Sequence, residues 1–119
     1  MRYLFKGMLI DNGEWMIGNL IRTDEGVYII QNYVPQHLIK HYEVIPSTIC
    51  QCTGLKDKNG KLIWENDICK YQWNGKTKID VIKYDPPMFS YSGAMRWNLD
   101  CDEVIGNKFD NPELLEVEE

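Results

Sequence analysis

A chain of 119 residues, 44% hydrophobic and 26% charged, has room for one domain whose core needs neither metal nor disulfide. Its net charge of −5 argues against broad, sequence-independent binding to nucleic acid, which relies on Lys and Arg neutralising phosphates. The longest apolar runs cover a few residues, against the roughly 20 of a membrane-spanning helix, and no basic stretch followed by an apolar run opens the chain. The expectation is a cytoplasmic protein that makes no use of a membrane.

Arg2 to Ile10 reads as a strand, closed by Asp11-Asn12-Gly13, because Asn-Gly is the dipeptide that best tolerates the two positive φ angles of a type I′ hairpin turn. Glu14 to Arg22 is the returning strand, in which Gly18 marks a bulge or a close backbone approach. Thr23-Asp24-Glu25-Gly26 turns the chain again, and the β-branched and aromatic run Val27 to Gln31 is a third strand. Pro35 to His41 reads as a short helix opened by its proline, with Leu38 and Ile39 inward, and Tyr42 to Ile45 as extended. Ser47 to Cys52 fits either a strand or a single helical turn.

From Thr53 the pattern tightens. Leu55-Lys56-Asp57 leads into Lys58-Asn59-Gly60, and Lys61 to Trp64 returns with Leu62 and Trp64 on one face. Glu65-Asn66-Asp67 is a tight turn in which Asn66 tolerates a left-handed conformation. Ile68 to Trp73 is a strand, Asn74-Gly75 turns it, and Thr77 to Tyr84 pairs back. Asp85 to Ala94, with Pro86, Pro87 and Gly93, reads as a loop; Met95 to Leu99 and Glu103 to Ile105 read as short strands. Asp110 or Asn111 caps a short helix from Pro112, with Leu114, Leu115 and Val117 as its apolar face. Together these elements predict a mostly β, β-rich α+β fold: one domain over residues 1–119, an N-terminal β-meander (1–50) joined to a small SH3-like barrel (51–119), with short helical segments.

The chemistry-bearing residues are sparse. His37 and His41 have the i, i+4 spacing of a metal-binding helix, but Leu38 stands where such a motif carries its Glu, so the two are read as surface histidines. Cys50 and Cys52 are separated by one residue, Cys69 and Cys101 are isolated, and zinc sites want two to four residues between paired cysteines. Reduced, partly buried thiols and no metal or cofactor are expected. Glu65 and Asp67 flank Asn66 as turn-capping carboxylates, since the oxygen-rich pattern of a calcium loop is absent. No phosphate-binding glycine loop or nucleophile elbow is present, so no enzyme activity is expected; an enzyme built on Glu65, Asp67 or Cys69 would require an exposed, acidified Cys69.

The charge is uneven. Gly54 to Lys83 carries seven lysines against four acids, whereas the chain ends on Glu113, Glu116, Glu118 and Glu119. Lys56, Lys58, Lys61 and Lys70, with Tyr71 and Trp73 as stacking aromatics, form the candidate surface for a partner or a nucleic acid. Trp64 sits beside the same lysines and is read as core packing.

The run TGLKDKNGKLIWENDICKY, beginning at Thr53, resembles the signature of the YopX family of phage and prophage proteins, whose members show a TGLKDKNGKxIYEGDIV-like run. FKGMLIDNGEWMIGNLI, Phe5 to Ile21, is similar to that family's opening hairpin, and EVIGNKFDNPELLE, Glu103 to Glu116, to its closing segment. Asn66 stands where the family usually has Gly, and Trp64 where Tyr is typical. The resemblance implies a phage-encoded accessory protein in the bacterial cytoplasm, working as an oligomer. It implies no biochemical activity. The function expected is therefore a non-enzymatic interaction module with a host or phage protein as partner; the alternative is nucleic-acid binding through the Lys56–Lys83 face.

Overall fold

The computed structural model describes residues 4–33, 38–85, 88–91 and 101–115. The described residues are strand-rich and the chain divides into two compact units, Met1–Cys52 and Thr53–Glu119.

In the first unit, β1 (Phe5–Met8), β2 (Trp15–Thr23), β3 (Gly26–Tyr33) and β4 (Leu38–Glu43) form an antiparallel meander, and β1 also pairs with the start of β5 (Cys50–Lys56). The order across the sheet is β4-β3-β2-β1-β5. Gly18 is a close approach: a Cβ there would lie 2.5 Å from the Ile30 carbonyl oxygen. Ile29, Val44, Cys50 and Cys52 are buried. A 3₁₀ turn, Pro46–Thr48, joins β4 to β5, so the segment from Ser47 to Cys52 holds both a turn and a strand. The turn buries Thr48, whose hydroxyl oxygen accepts the Met8 N–H at 2.9 Å and whose hydroxyl donates to the Ile45 carbonyl at 2.6 Å.

The helix expected at Pro35–His41 is corrected. Leu38–Glu43 is a strand paired with β3 over Tyr28–Tyr33, and residues 35–37 of the expected helix lie outside the described ones. The local proline signal yields to the backbone hydrogen bonds and apolar face that β3 offers. His41 therefore stands on a strand, and His37 lies outside the described residues.

In the second unit, β5 runs on to a hairpin with β6 (Leu62–Trp64), and β7 (Asp67–Trp73), β8 (Lys76–Asp85), β9 (Met88–Tyr91) and β10 (Glu103–Asn107) make an antiparallel sheet in the order β10-β7-β8-β9. Ile63, Cys69, Tyr71, Ile82, Cys101 and Val104 pack as its core. Among the described residues this sheet ends on β9 and β10, and an SH3-like barrel is not what the structure shows. The loop expected at Asp85–Ala94 is corrected too: Met88–Tyr91 pairs with β8, from Asp85↔Met88 to Ile82↔Tyr91. The strand expected at Met95–Leu99 lies outside the described residues. Pro112–Leu115 is a 3₁₀ turn that buries none of its residues, with Leu115 41% exposed.

The Asn-Gly turns are not alike. Asn74 and Gly75 have φ 53° and 76°, the pair of left-handed residues of a type I′ turn. At Asn12-Gly13 and Asn59-Gly60 only the glycines are left-handed, at 76° and 85°. Asn12 instead accepts the Glu14 N–H on its side chain, and the Asn59 N–H donates to Asp57. Asn66 has φ 73°, as its place in the tight turn requires.

Candidate functional site

The Asp57 carboxylate anchors the turn before β6. Burial pushes it up, but N–H donors from Val104, Lys61 and Asn59 and the Lys61 charge outweigh burial and hold it below its ordinary value. Asp67 is buried and its Oδ2 accepts the Trp64 N–H at 2.8 Å. Both carboxylates thus serve backbone amides.

All four cysteines are free and buried. The Cys69 thiol is pushed far up by its hydrogen bond with Cys101, by burial, and by the charges of Cys101, Asp67 and Asp57. A reactive thiolate needs the opposite surroundings, open and electropositive. Among the described residues no group of three or more His, Cys, Asp or Glu is arranged to hold a metal ion.

Of the six residues picked from the sequence as a binding surface, the fold buries Tyr71 and sets Lys58 and Lys70 beside carboxylates. Lys56 ends β5, and Lys58 and Lys61 sit in the following turn, all exposed. Lys58 Nζ lies 3.0 Å from Asp102 Oδ1, and Lys70 Nζ lies 3.4 Å from Glu103 Oε1, so two of the four lysines face carboxylates. Tyr71 is 3% exposed and its hydroxyl donates to Asp80 Oδ2 at 2.9 Å. It packs in the core and offers no ring face for stacking. Trp64 is likewise buried. Trp73 is the exception, at 48% exposed.

Trp73 ends β7 directly opposite Lys76, and Lys78 lies opposite Tyr71 on the same side of the ribbon. Residues 72–79 are exposed throughout, and no acid lies between Asp67 and Asp80. The tip of the β7–β8 hairpin therefore carries an indole and two ammonium groups on one side and the exposed Ile79 on the other. Lys76 and Lys78 belong to the lysine-rich Lys56–Lys83 face read from the sequence but were not among the six residues picked from it; the type I′ register of Asn74-Gly75 is the signal that sets Lys76 across from Trp73.

The first unit has a second surface that sequence reasoning passed over. An open depression of about 330 Å³ is lined by Ile21, Thr23, Glu25, Tyr28, Ile30 and His41. The register explains it: Ile21 lies opposite Tyr28 and Ile30 opposite His41, so alternation aims all four to one side of the sheet. Tyr28 and His41 meet edge to face, with ring centroids 5.6 Å apart. At one end lies the Thr23–Gly26 turn, where the Glu43 carboxylate sits over Gly26, close enough that a Cβ there would be 2.8 Å from its Oε2.

A strand-rich fold whose buried carboxylates cap turns and whose thiols are sealed in the core belongs to a small β protein. A protein-family model described as YopX protein matches residues 8–116, nearly the whole chain, and the protein belongs to the YopX family. The fold is similar to the crystal structure of protein EF1440 from Enterococcus faecalis, at 26% identity and a TM-score of 0.63, over 94% of this chain and 96% of that one. No curated protein matches the sequence. Among the described residues no helix is long and apolar enough to cross a membrane.

Proposed function

We propose that this YopX-family chain is a non-enzymatic macromolecular interaction module, a phage or prophage accessory protein of the bacterial cytoplasm, and that the tip of the β7–β8 hairpin is its contact element. The observation that carries this reading is Trp73, half-exposed on a turn-stabilised ribbon beside Lys76 and Lys78. An exposed tryptophan flanked by cations has the composition of an interface anchor. The partner such a tip fits is acidic. A protein partner is the first choice because the chain as a whole is net negative, which weakens non-specific attraction to nucleic acid.

The test is capture of partners from bacterial lysate by the wild type and by Trp73→Ala, each with and without nuclease. A nuclease-resistant partner captured by the wild type and lost by the variant supports the reading. Turnover of nucleotides, nucleic acid or peptides by the purified chain, abolished by one polar substitution, overturns it.

The lysines of Lys56–Lys83 favour a second reading, nucleic-acid binding. It retains Trp73, Lys76 and Lys78 but not Tyr71. Binding would be measurable at low salt and fall steeply as salt rises; no binding at low ionic strength eliminates it.

A further inference from the structure

The two surfaces are complementary to one another, and the geometry points to a second copy of this chain as a partner of the hairpin: we infer that Trp73 of one copy seats in the Ile21–Tyr28–Ile30–His41 depression of the next. This rests on the hairpin being the contact element, as proposed above.

Three observations support it. The first is size. A depression of about 330 Å³ lies at the lower end of the range of ligand cavities, about 300–1,000 Å³, and has room for an indole. The second is chemistry. Ile21, Ile30 and the Tyr28 ring offer apolar walls to an indole, whose burial is among the largest any side chain provides. The third is charge. Beside the depression stand exposed Asp24, Glu25 and Glu43, the last folded over Gly26, whereas the hairpin carries Lys76 opposite Trp73 and Lys78 two residues on. An indole laid over Ile21, Tyr28 and Ile30 brings lysines to a rim of carboxylates. Steering of this kind sets orientation and encounter rate.

The contact is heterologous: the surface given by one copy differs from the surface received by the other. Such contacts propagate into rings or open chains instead of stopping at a symmetric pair. A single anchoring side chain with a short charged rim is a small interface, so association is weak and visible only at high concentration.

The experiment is sedimentation velocity on the full chain from micromolar to millimolar concentration, with two surface variants checked for fold by circular dichroism. Trp73→Ala removes the inserted side chain, and Ile21→Lys places a like charge in the receiving wall. Wild type is expected to grow in mean mass with concentration, beyond a dimer. Each variant alone is expected to associate at least tenfold more weakly. Mixed, the two variants are expected to form a one-to-one pair and stop there, because Trp73→Ala still offers the depression and Ile21→Lys still offers the hairpin.

A monomeric wild type throughout, variants that associate as the wild type does, or a mixture that forms no pair overturns the inference. Loss of the lysate partner by Trp73→Ala together with a monomeric wild type leaves the interaction-module reading standing and removes only the second copy. Binding of a single-stranded oligonucleotide by a monomeric wild type, lost in Trp73→Ala, assigns the hairpin to nucleic acid instead.

Discussion

The Asp57 carboxylate accepts the Val104 N–H at 2.9 Å across 47 residues of sequence, tying the turn before β6 to β10. Its other oxygen accepts the Asn59 and Lys61 N–H groups, each at 2.9 Å. One side chain thereby shapes a local turn and clamps it to a distant strand. Asp57→Ala leaves a buried amide and two turn amides without their acceptor, at about 1–3 kcal/mol for each donor that stays buried. A loss of about 3 kcal/mol in urea unfolding is expected. A midpoint within error of the wild type would mean that the clamp contributes nothing.

The same carboxylate makes stability depend on pH. Its folded value lies below its ordinary value of 3.8, so the unfolded chain binds this proton more readily than the folded one. The stabilisation it contributes is therefore complete above about pH 3.8 and is lost as pH falls through the lower folded value. Urea midpoints of wild type and Asp57→Asn, measured from pH 7 to pH 2, are expected to differ by a constant amount at neutral pH and to converge in acid. Parallel curves down to pH 2 would contradict this.

Asn66 holds φ 73° in the turn between β6 and β7, and its N–H donates to the Ile82 carbonyl at 2.8 Å while its own carbonyl accepts the Lys108 N–H at 3.0 Å. The backbone must keep this conformation because both neighbours depend on it. Asn66→Gly, which has no Cβ to clash, is expected to keep stability within about 1 kcal/mol. Asn66→Val places a β-branched side chain at positive φ and is expected to lose about 2 kcal/mol or more. Thermal melts of the two variants rank them; Val equal to Gly would show that the turn is free to change conformation.

What could be read in the sequence was what is decided locally. Asn74-Gly75 specifies its own turn, and the strands on either side follow with the expected register. Asn12-Gly13 and Asn59-Gly60 have the same letters but another geometry, because the loop they close is longer in one case and is shaped by Asp57 in the other. Residues 38–41 and Met88–Tyr91 were misread for a related reason. Proline and serine signals near them are local, whereas pairing with β3 and β8 is not. The site was harder still. Alternation puts Tyr71 and Trp73 on the same side of β7, and only the folded sheet shows that the core covers the first and ends before the second.

Gly18 lies on β2 against Ile29 and Ile30 of β3. A methyl group there would stand 2.5 Å from the Ile30 oxygen and 2.9 Å from Ile29 Cγ2, and the first of these is backbone that pairs with β2. Gly18→Ala must separate the strands or twist the meander, and a loss of about 1–3 kcal/mol is expected. Gly13→Ala meets nothing within 4 Å and loses only the ease of positive φ, so it is expected to fall at the lower end of that range. If the two lose equally, the close approach at Gly18 carries no weight of its own.

The cysteines supply a direct check on the core of the second unit. Cys69 is fully buried and its thiol is pushed up by Cys101, burial and nearby carboxylates, so it is both shielded and protonated across the working range. Cys50, Cys52 and Cys101 are buried as well. Labelling of the native chain with a thiol-specific aromatic disulfide is expected to be slow, with little acceleration at Cys69 between pH 7 and pH 9, and to become rapid at all four thiols only in denaturant. Rapid native labelling at Cys69, rising with pH like an ordinary thiol, would show that this core opens without unfolding and would restore an accessible nucleophile to the reckoning.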